Sequence, residues 1–307
     1  EIFPINDKEI EREHLRHYIE REVFNGTFSS PVQDILETGW ARVLDVNCGP
    51  GTWLFELSSD YPGCNYFGTN SSHTISLLNN GGKPFDVEFV DANLVKYDFK
   101  VCSDRENLNE QECGLPFLDN SFDFVSMKYS SREYTVSEWE NTIIKELIRV
   151  LKPGGWLELT DFELTMDGGG PVLNKFLETK LKLLESFHLE TDIIHNLPKI
   201  MEASGEFMNV QFEIKKFPLG KSSGKLGESG STLYYETYKS ILSYFAKHLG
   251  IKEKDINATV DKIKEEFDEY DVYKSAYRIF GQKQLEQRND EMNGEINART
   301  SDETGTD

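Results

Sequence analysis

The residues of this chain whose types and spacing invite chemistry crowd into one short stretch, RVLDVNCGPGTW at 42–53. An apolar run ends on a carboxylate, Asp45, and Gly49 and Gly51 follow before a helix opens near Thr52. Glycines in a strand-to-helix turn let backbone N–H groups approach a ligand with no Cβ in the way. They would serve equally a tight turn that only packs a helix on a sheet. A dinucleotide fingerprint wants a third glycine, where Gly49-Pro50-Gly51-Thr52-Trp53-Leu54 has leucine. Asp45 at the mouth of the loop would repel a pyrophosphate, and it suits a ligand with a positive charge and an amino group. S-adenosylmethionine has both, in its sulfonium and its α-ammonium, so the chemistry points away from a nicotinamide dinucleotide.

Other chemistries lack their residues. His14 and His17 are not at i, i+4 spacing and enclose no glutamate, so zinc hydrolysis of the HExxH kind is absent, as is a G-x-S-x-G nucleophile turn. Cys48, Cys64, Cys102 and Cys113 form no CxxC pair and have no metal-ligand spacing. They read as free thiols of a reducing compartment, with Cys48 filling the turn. The Asn-x-Ser/Thr triplets at 25, 70 and 257 are expected by chance.

The elements that must position the loop follow from hydrophobic periodicity. Residues 8–24 form a charged helix stopped by Asn25-Gly26, and a second helix starts at Ser30-Pro31 and ends at Gly39. Short apolar strands at 42–46, 65–69, 87–90, 122–127 and 156–161 then alternate with helices, the clearest at 136–151. Lys152-Pro153-Gly154-Gly155 ends that helix. Such alternation predicts a mostly parallel sheet with helices on both faces. Further on, 171–187 and 192–204 read as helices, 210–217 as an alternating strand and 221–231, rich in Gly and Ser, as a loop. Helices near 232–249 and 255–268 precede a last strand at 273–280, which could pair antiparallel with 210–217 at the sheet edge.

The stretch 42–53 resembles the first motif of class I S-adenosylmethionine-dependent methyltransferases, and the resemblance continues in order through YFGTNSS at 66–72, VEFVDANL at 87–94, GLPFLDNSFDFV at 114–125 and ELIRVLKPGGWLEL at 146–159. It is similar in particular to methyltransferase-domain proteins of filamentous fungi, over roughly residues 18–282. The resemblance implies an α/β, Rossmann-like seven-stranded sheet of order 3-2-1-4-5-7-6 with strand 7 antiparallel. It also implies S-adenosyl-L-methionine as cofactor, held by Asp45, Asn47, Gly49, Gly51, Asn70, Ser71, Asn93, Leu94 and Met127. Lys128 and Tyr129 fall where cofactor and incoming substrate meet, with a solvated rim as the other reading of Lys128. Tyr18 and Phe28 belong to an N-terminal segment that closes over the cofactor in similar proteins, although an aromatic on a helix face more often packs in a core.

The departures from the family pattern are asparagines. Asn47 replaces the first loop glycine, and asparagine tolerates the left-handed backbone that the turn requires. Asn70 replaces the acidic residue that accepts both ribose hydroxyls, which an amide does less well. It would also cap the next helix, as would Ser71 and Ser72. Asn93 keeps an amide oxygen for the adenine amino group. The expected division is a helical lid at 1–39, a cofactor-binding core at 40–163, a substrate-side half at 164–282 and a disordered acidic tail at 283–307.

Composition bounds the partners. The chain has 307 residues and 33 basic against 54 acidic side chains, a net charge of −21, which argues against broad binding to nucleic acid or an anionic membrane. No apolar run reaches the roughly 20 residues that span a bilayer. The expected setting is the cytoplasm or nucleus, with any leading segment removed ahead of Glu1. The insertion 95–113 reads first as a solvated loop and second as a lid or surface for a protein partner. The function expected is methyl transfer to an acceptor, small molecule or protein, that no motif identifies. The alternative is a relative that kept the fold as a binding scaffold and lost the cofactor through Asn47 and Asn70.

Overall fold

The computed structural model describes residues 7–70, 86–91, 114–186, 190–246, 252 and 255–285. Helix α1 (Asp7–Phe24) and short α2 (Gln33–Glu37) lead into β1 (Arg42–Val46), α3 (Thr52–Asp60), β2 (Asn65–Asn70) and β3 (Val87–Asp91). After β4 (Phe122–Lys128) comes α4, built of Val136–Glu138, a π-helical turn Trp139–Ile143 and Ile144–Val150. The rest is β5 (Leu151–Phe162), α5 (Pro171–Ser186), α6 (Ile193–Ala203), β6 (Phe207–Pro218), α7 (Gly224–Phe245), α8 (Ile256–Glu269) and β7 (Tyr273–Lys283).

The sheet runs β3-β2-β1-β4-β5-β7-β6. Strands β1 to β5 are parallel, and β7 is antiparallel to both neighbours, β5 and β6. The predicted order and the edge pair are both present. Because side chains alternate across a strand, each face gathers its own core. Leu44, Val46, Val125, Met127, Leu157, Leu159 and Ile279 face α4 and α6. On the opposite face, Val43, Phe124, Trp156 and Phe280 meet α2 and α3, while Phe162 and Ala276 meet α1, α5, α7 and α8. Between those two apolar patches the same face carries polar residues. Register aligns Asp45 with Ser126 and Ser126 with Glu158, and one step along the strands Lys128 with Thr160 and Thr160 with Arg278.

Several boundaries differ from expectation for local reasons. Residues 221–231 are not a loop: α7 begins at Gly224. A Cβ at Gly227 would lie 2.3 Å from the Gly220 carbonyl oxygen, and one at Gly230 would lie 2.6 Å from Leu219. The glycines that suggest a loop let the helix press against the end of β6. Ser231 completes that contact, its Oγ donating to the Gly227 carbonyl and accepting from the Gly220 N–H. Strand β5 incorporates Lys152–Gly155, with an irregular register opposite Phe122 and Phe124. A capping box starts α4: Thr135 Oγ1 accepts from the Glu138 N–H, and Glu138 returns a bond to the Thr135 N–H. Strand β7 runs through Lys283, past the boundary drawn at 282, and Lys283 Nζ donates to the Leu151 and Ile148 carbonyls at 2.7 and 2.8 Å. The rest of the expected tail from 286, and the insertion 95–113, lie outside the described residues.

Candidate functional site

The glycine loop leaves β1 at the centre of the sheet, where β2 and β4 flank it. Asp45 is 2% exposed, and its Oδ1 has no hydrogen-bond partner among the described residues. Burial pushes its carboxyl up to about 7, against the pull of the Lys128 ammonium. Asn47 adopts the predicted left-handed backbone at φ 57°. Its amide does not point across the loop. It donates to Tyr134 Oη at 3.1 Å and to Ser130 Oγ and Glu133 Oε2 at 3.3 Å, tying the loop to the turn after β4. Gly51, at φ +76°, could not carry a Cβ without meeting the Phe89 ring at 2.7 Å, whereas a Cβ on Gly49 would stand in open space.

Asn70 ends β2, and its Nδ2 donates to the Gly49 carbonyl at 3.0 Å. An asparagine there holds the glycine loop to the neighbouring strand, a donor role that aspartate could not fill. The sequence reading gives Asn70 as a poorer ribose acceptor and a cap for the next helix, and does not anticipate this donor. Met127, 2% exposed, lies in the core on the other face. With Ser130, Ser131, Thr160 and Asp161 it borders a cavity of about 10 Å³, room for about one water. Ser71, Asn93 and Leu94 lie outside the described residues.

The N-terminal helix contributes what the sequence did not announce. Glu20 of α1 is 1% exposed and takes the Lys128 ammonium at 2.6 Å and Arg278 Nη2 at 2.7 Å, while the Tyr129 hydroxyl donates to its other oxygen. Burial alone would raise Glu20, yet Lys128 and Arg278 hold it down to about 2. Arg278, fully buried, also lies 3.7 Å from Glu158 Oε1, and Glu158 Oε2 accepts from the Ser29 and Ser30 N–H groups and Ser30 Oγ. The polar band thus binds α1 and the 26–30 turn across the sheet. Lys128, read as either a site residue or a solvated rim, is buried, its Nζ 5.1 Å from the centre of the Trp53 ring. Of the two aromatics expected in a lid, Tyr18 is 55% exposed and Phe28 packs on Tyr61 and Phe124.

These residues fit S-adenosylmethionine. A buried carboxylate with an unused oxygen and a raised pKa is an acceptor awaiting a cation. Beside it stands a glycine turn with open space at Gly49, at the carboxyl ends of parallel strands where such sheets bind ligands.

Comparison with known proteins gives the same assignment. The family model described as "Methyltransferase domain" matches residues 44–159. The demethylmenaquinone methyltransferase of Staphylococcus aureus is 25% identical over 220 residues, covering 70% of this chain and 77% of the relative. The N-methyltransferase verN of Clonostachys rogersoniana is 23% identical over 274 residues, covering 86% of each. Among solved structures, a SAM-dependent methyltransferase of Methanosarcina mazei superposes with a TM-score of 0.48 at 17% identity, covering 84% of this chain and all of that one. The matched segment, residues 44–159, holds the strands that build the glycine loop, so it is there that the chain is similar to S-adenosylmethionine-dependent methyltransferase domains.

Proposed function

We propose that the chain transfers a methyl group from S-adenosylmethionine to a small nucleophilic acceptor, with Asp45 anchoring the cofactor. The observation that carries this reading is the buried Asp45 carboxylate beneath the glycine turn, whose Oδ1 has no hydrogen-bond partner among the described residues. The relative named for demethylmenaquinone supports a small acceptor over a protein. When bound, the cofactor supplies an electrophilic methyl on a sulfonium whose leaving group is neutral. The chain's own residues then bind, orient and exclude water. Asp45 and the amides of the Gly49–Gly51 turn would hold the amino-acid end, Asn47 would fix the turn, and Asn70, Ser71, Asn93 and Leu94 would serve the nucleoside. Met127 would back the site from the core. Helix α1, fastened through Glu20 to Lys128 and Arg278, closes the polar band from solvent.

One observation favours a second reading, a scaffold with a degenerate site. The Asn70 amide is engaged with Gly49 and the Asn47 amide with Tyr134, so both departures from the family pattern are built into internal bonds. Calorimetric titration with S-adenosylhomocysteine separates the two. Micromolar binding that Asp45→Ala abolishes, with the circular dichroism spectrum unchanged, supports the enzyme. Silence up to millimolar ligand leaves the scaffold.

A further inference from the structure

Two lysines lie where a fold of this kind has no structural need for charge. Lys180 on α5 and Lys274 at the start of β7 are 9% and 2% exposed. Lys180 Nζ donates to the Leu164 carbonyl at 3.3 Å and Lys274 Nζ to the adjacent Thr165 carbonyl at 2.9 Å, just past the carboxyl end of β5. Among the described residues neither has a carboxylate within 4.0 Å, although an ammonium can donate three hydrogen bonds. Two tyrosines of α7 cover them: Lys274 Nζ is 5.0 Å from the Tyr234 ring centre and Lys180 Nζ 5.7 Å from that of Tyr238. Tyr238 has a partner in Met166 Sδ, but the Tyr234 hydroxyl, in a residue 7% exposed, has none.

The surrounding charges leave a surplus. Arg132 pairs with Asp161 at 3.0 Å, and Asp161 is further engaged by Ser131 and by the Phe162 N–H. Glu163 accepts from Tyr277 and contacts His195 at 2.9 Å. Arg16, over the Tyr129 ring, is matched by Glu13. The two carboxylates nearest the lysines are therefore committed elsewhere, and three cations face them. Burial and the Arg132 charge lower both lysines, Lys180 to about 7, and Lys180 lowers Lys274 as well. A fold that only needed packing here would use methionine at less cost. The cluster also abuts the Tyr129–Phe162 ring pair, whose Tyr129 hydroxyl reaches Glu20 and hence Lys128 beside Asp45.

We propose that Lys180, Lys274 and Tyr234 form a buried anion subsite that seats a carboxylate of the methyl acceptor. With both lysines protonated, Arg132, Lys180 and Lys274 outnumber Asp161 and Glu163 by one charge, which matches a monoanion, and the two ammonium groups and the Tyr234 hydroxyl are donors for its two oxygens. Two ammonium contacts would quench the nucleophilicity of those oxygens, so the carboxylate is the acceptor's handle and the methylated atom lies elsewhere on the molecule. The inference rests on the methyltransferase reading above.

The test uses the full chain saturated with S-adenosylhomocysteine, titrated with benzoate, benzamide and phenyl phosphate. Benzoate should bind at millimolar concentration and benzamide at least about tenfold more weakly. Lys274→Met and Lys180→Met should each weaken benzoate about tenfold while leaving the homocysteine ligand within about twofold, and Tyr234→Phe should weaken it several-fold. At pH 8, benzoate binding should take up protons in the wild type and fewer in Lys180→Met, a signature that a packing role would not produce. Equal binding of benzoate and benzamide, benzoate affinity indifferent to the lysines, or tighter binding of phenyl phosphate would each overturn the proposal. Absence of benzoate binding with S-adenosylhomocysteine bound overturns it while leaving the methyltransferase reading intact. Failure of S-adenosylhomocysteine itself to bind strikes that reading, and benzoate titrated into the free chain then decides the subsite. Should a lysine variant fail to fold, Tyr234→Phe and the proton uptake carry the decision.

Discussion

Replacing Asp45 by asparagine removes a charge while keeping shape, and the structure assigns the result a size and a sign. Burial carries this carboxyl from an ordinary 3.8 to about 7. At about 1.4 kcal/mol per tenfold change in acidity, that is at most roughly 4 kcal/mol. A raised carboxyl stabilises the fold fully below its unfolded value, and that stability is lost as pH rises through the folded value. In the ligand-free protein, Asp45→Asn should therefore be more stable than wild type at pH 8 by about 2–4 kcal/mol, and the gap should close by pH 4. Two other buried groups leave this difference clean. Glu20, held down to about 2, changes protonation below the window. His17 is lowered by burial and by Lys128, so it adds stability above the ordinary histidine range and loses it as pH falls, equally in both proteins. Urea denaturation at pH 5, 6, 7 and 8 measures the gap. S-adenosylhomocysteine, whose ammonium favours the carboxylate, should bind wild type about tenfold more tightly per pH unit up to 7 and level off above it, a slope that Asp45→Asn abolishes. Parallel stability curves for the two proteins would refute the burial argument, and a pH-independent affinity would refute the contact.

Glu20→Gln leaves the Lys128 and Arg278 cations buried without their shared counter-charge, so thermal unfolding should show a loss of about 3–5 kcal/mol. Limited proteolysis should then cut near α1 first, and an unchanged pattern would disconnect α1 from the network. Asn70→Asp loses the donor to the Gly49 carbonyl and sets a carboxylate against it, which should cost about 1–3 kcal/mol by chemical denaturation. Should the same variant instead bind S-adenosylhomocysteine tenfold more tightly with no loss of stability, the residue faces the ribose and not the loop. Gly227→Ala puts a methyl 2.3 Å from the Gly220 oxygen and should destabilise by about 1–3 kcal/mol, whereas a neutral result would mean α7 does not press on the 219–220 turn.

What was legible in the sequence was local or periodic. The loop at 42–53 could be read because an acid and two glycines after an apolar run constrain backbone and charge within one turn. The sheet could be ordered because strands and helices alternate in step with their hydrophobic periods. What escaped was set by tertiary contact. Glu20 meets Lys128 and Arg278 across 108 and 258 positions, and no spacing rule links residues so far apart. The start of α7 was hidden because glycine and serine are poor helix formers, and only close packing against Gly220 explains them there. The direction in which Asn70 turns its amide is likewise a property of the folded loop. Lys180 is different, because its signal was present and passed unread. It falls on the stripe Leu173, Phe176, Leu177, Lys180, all buried on α5, a charge at the spacing that defines an apolar helix face. A lysine on such a stripe must either reach water past the helix edge or meet a partner inside, and the structure buries this one with the Leu164 carbonyl and the Tyr238 ring but no carboxylate among the described residues. That conflict between local pattern and charge is where function is expected to override stability, and the anchor proposed for the acceptor accordingly falls on α5 and β7, apart from the glycine loop proposed to hold the cofactor.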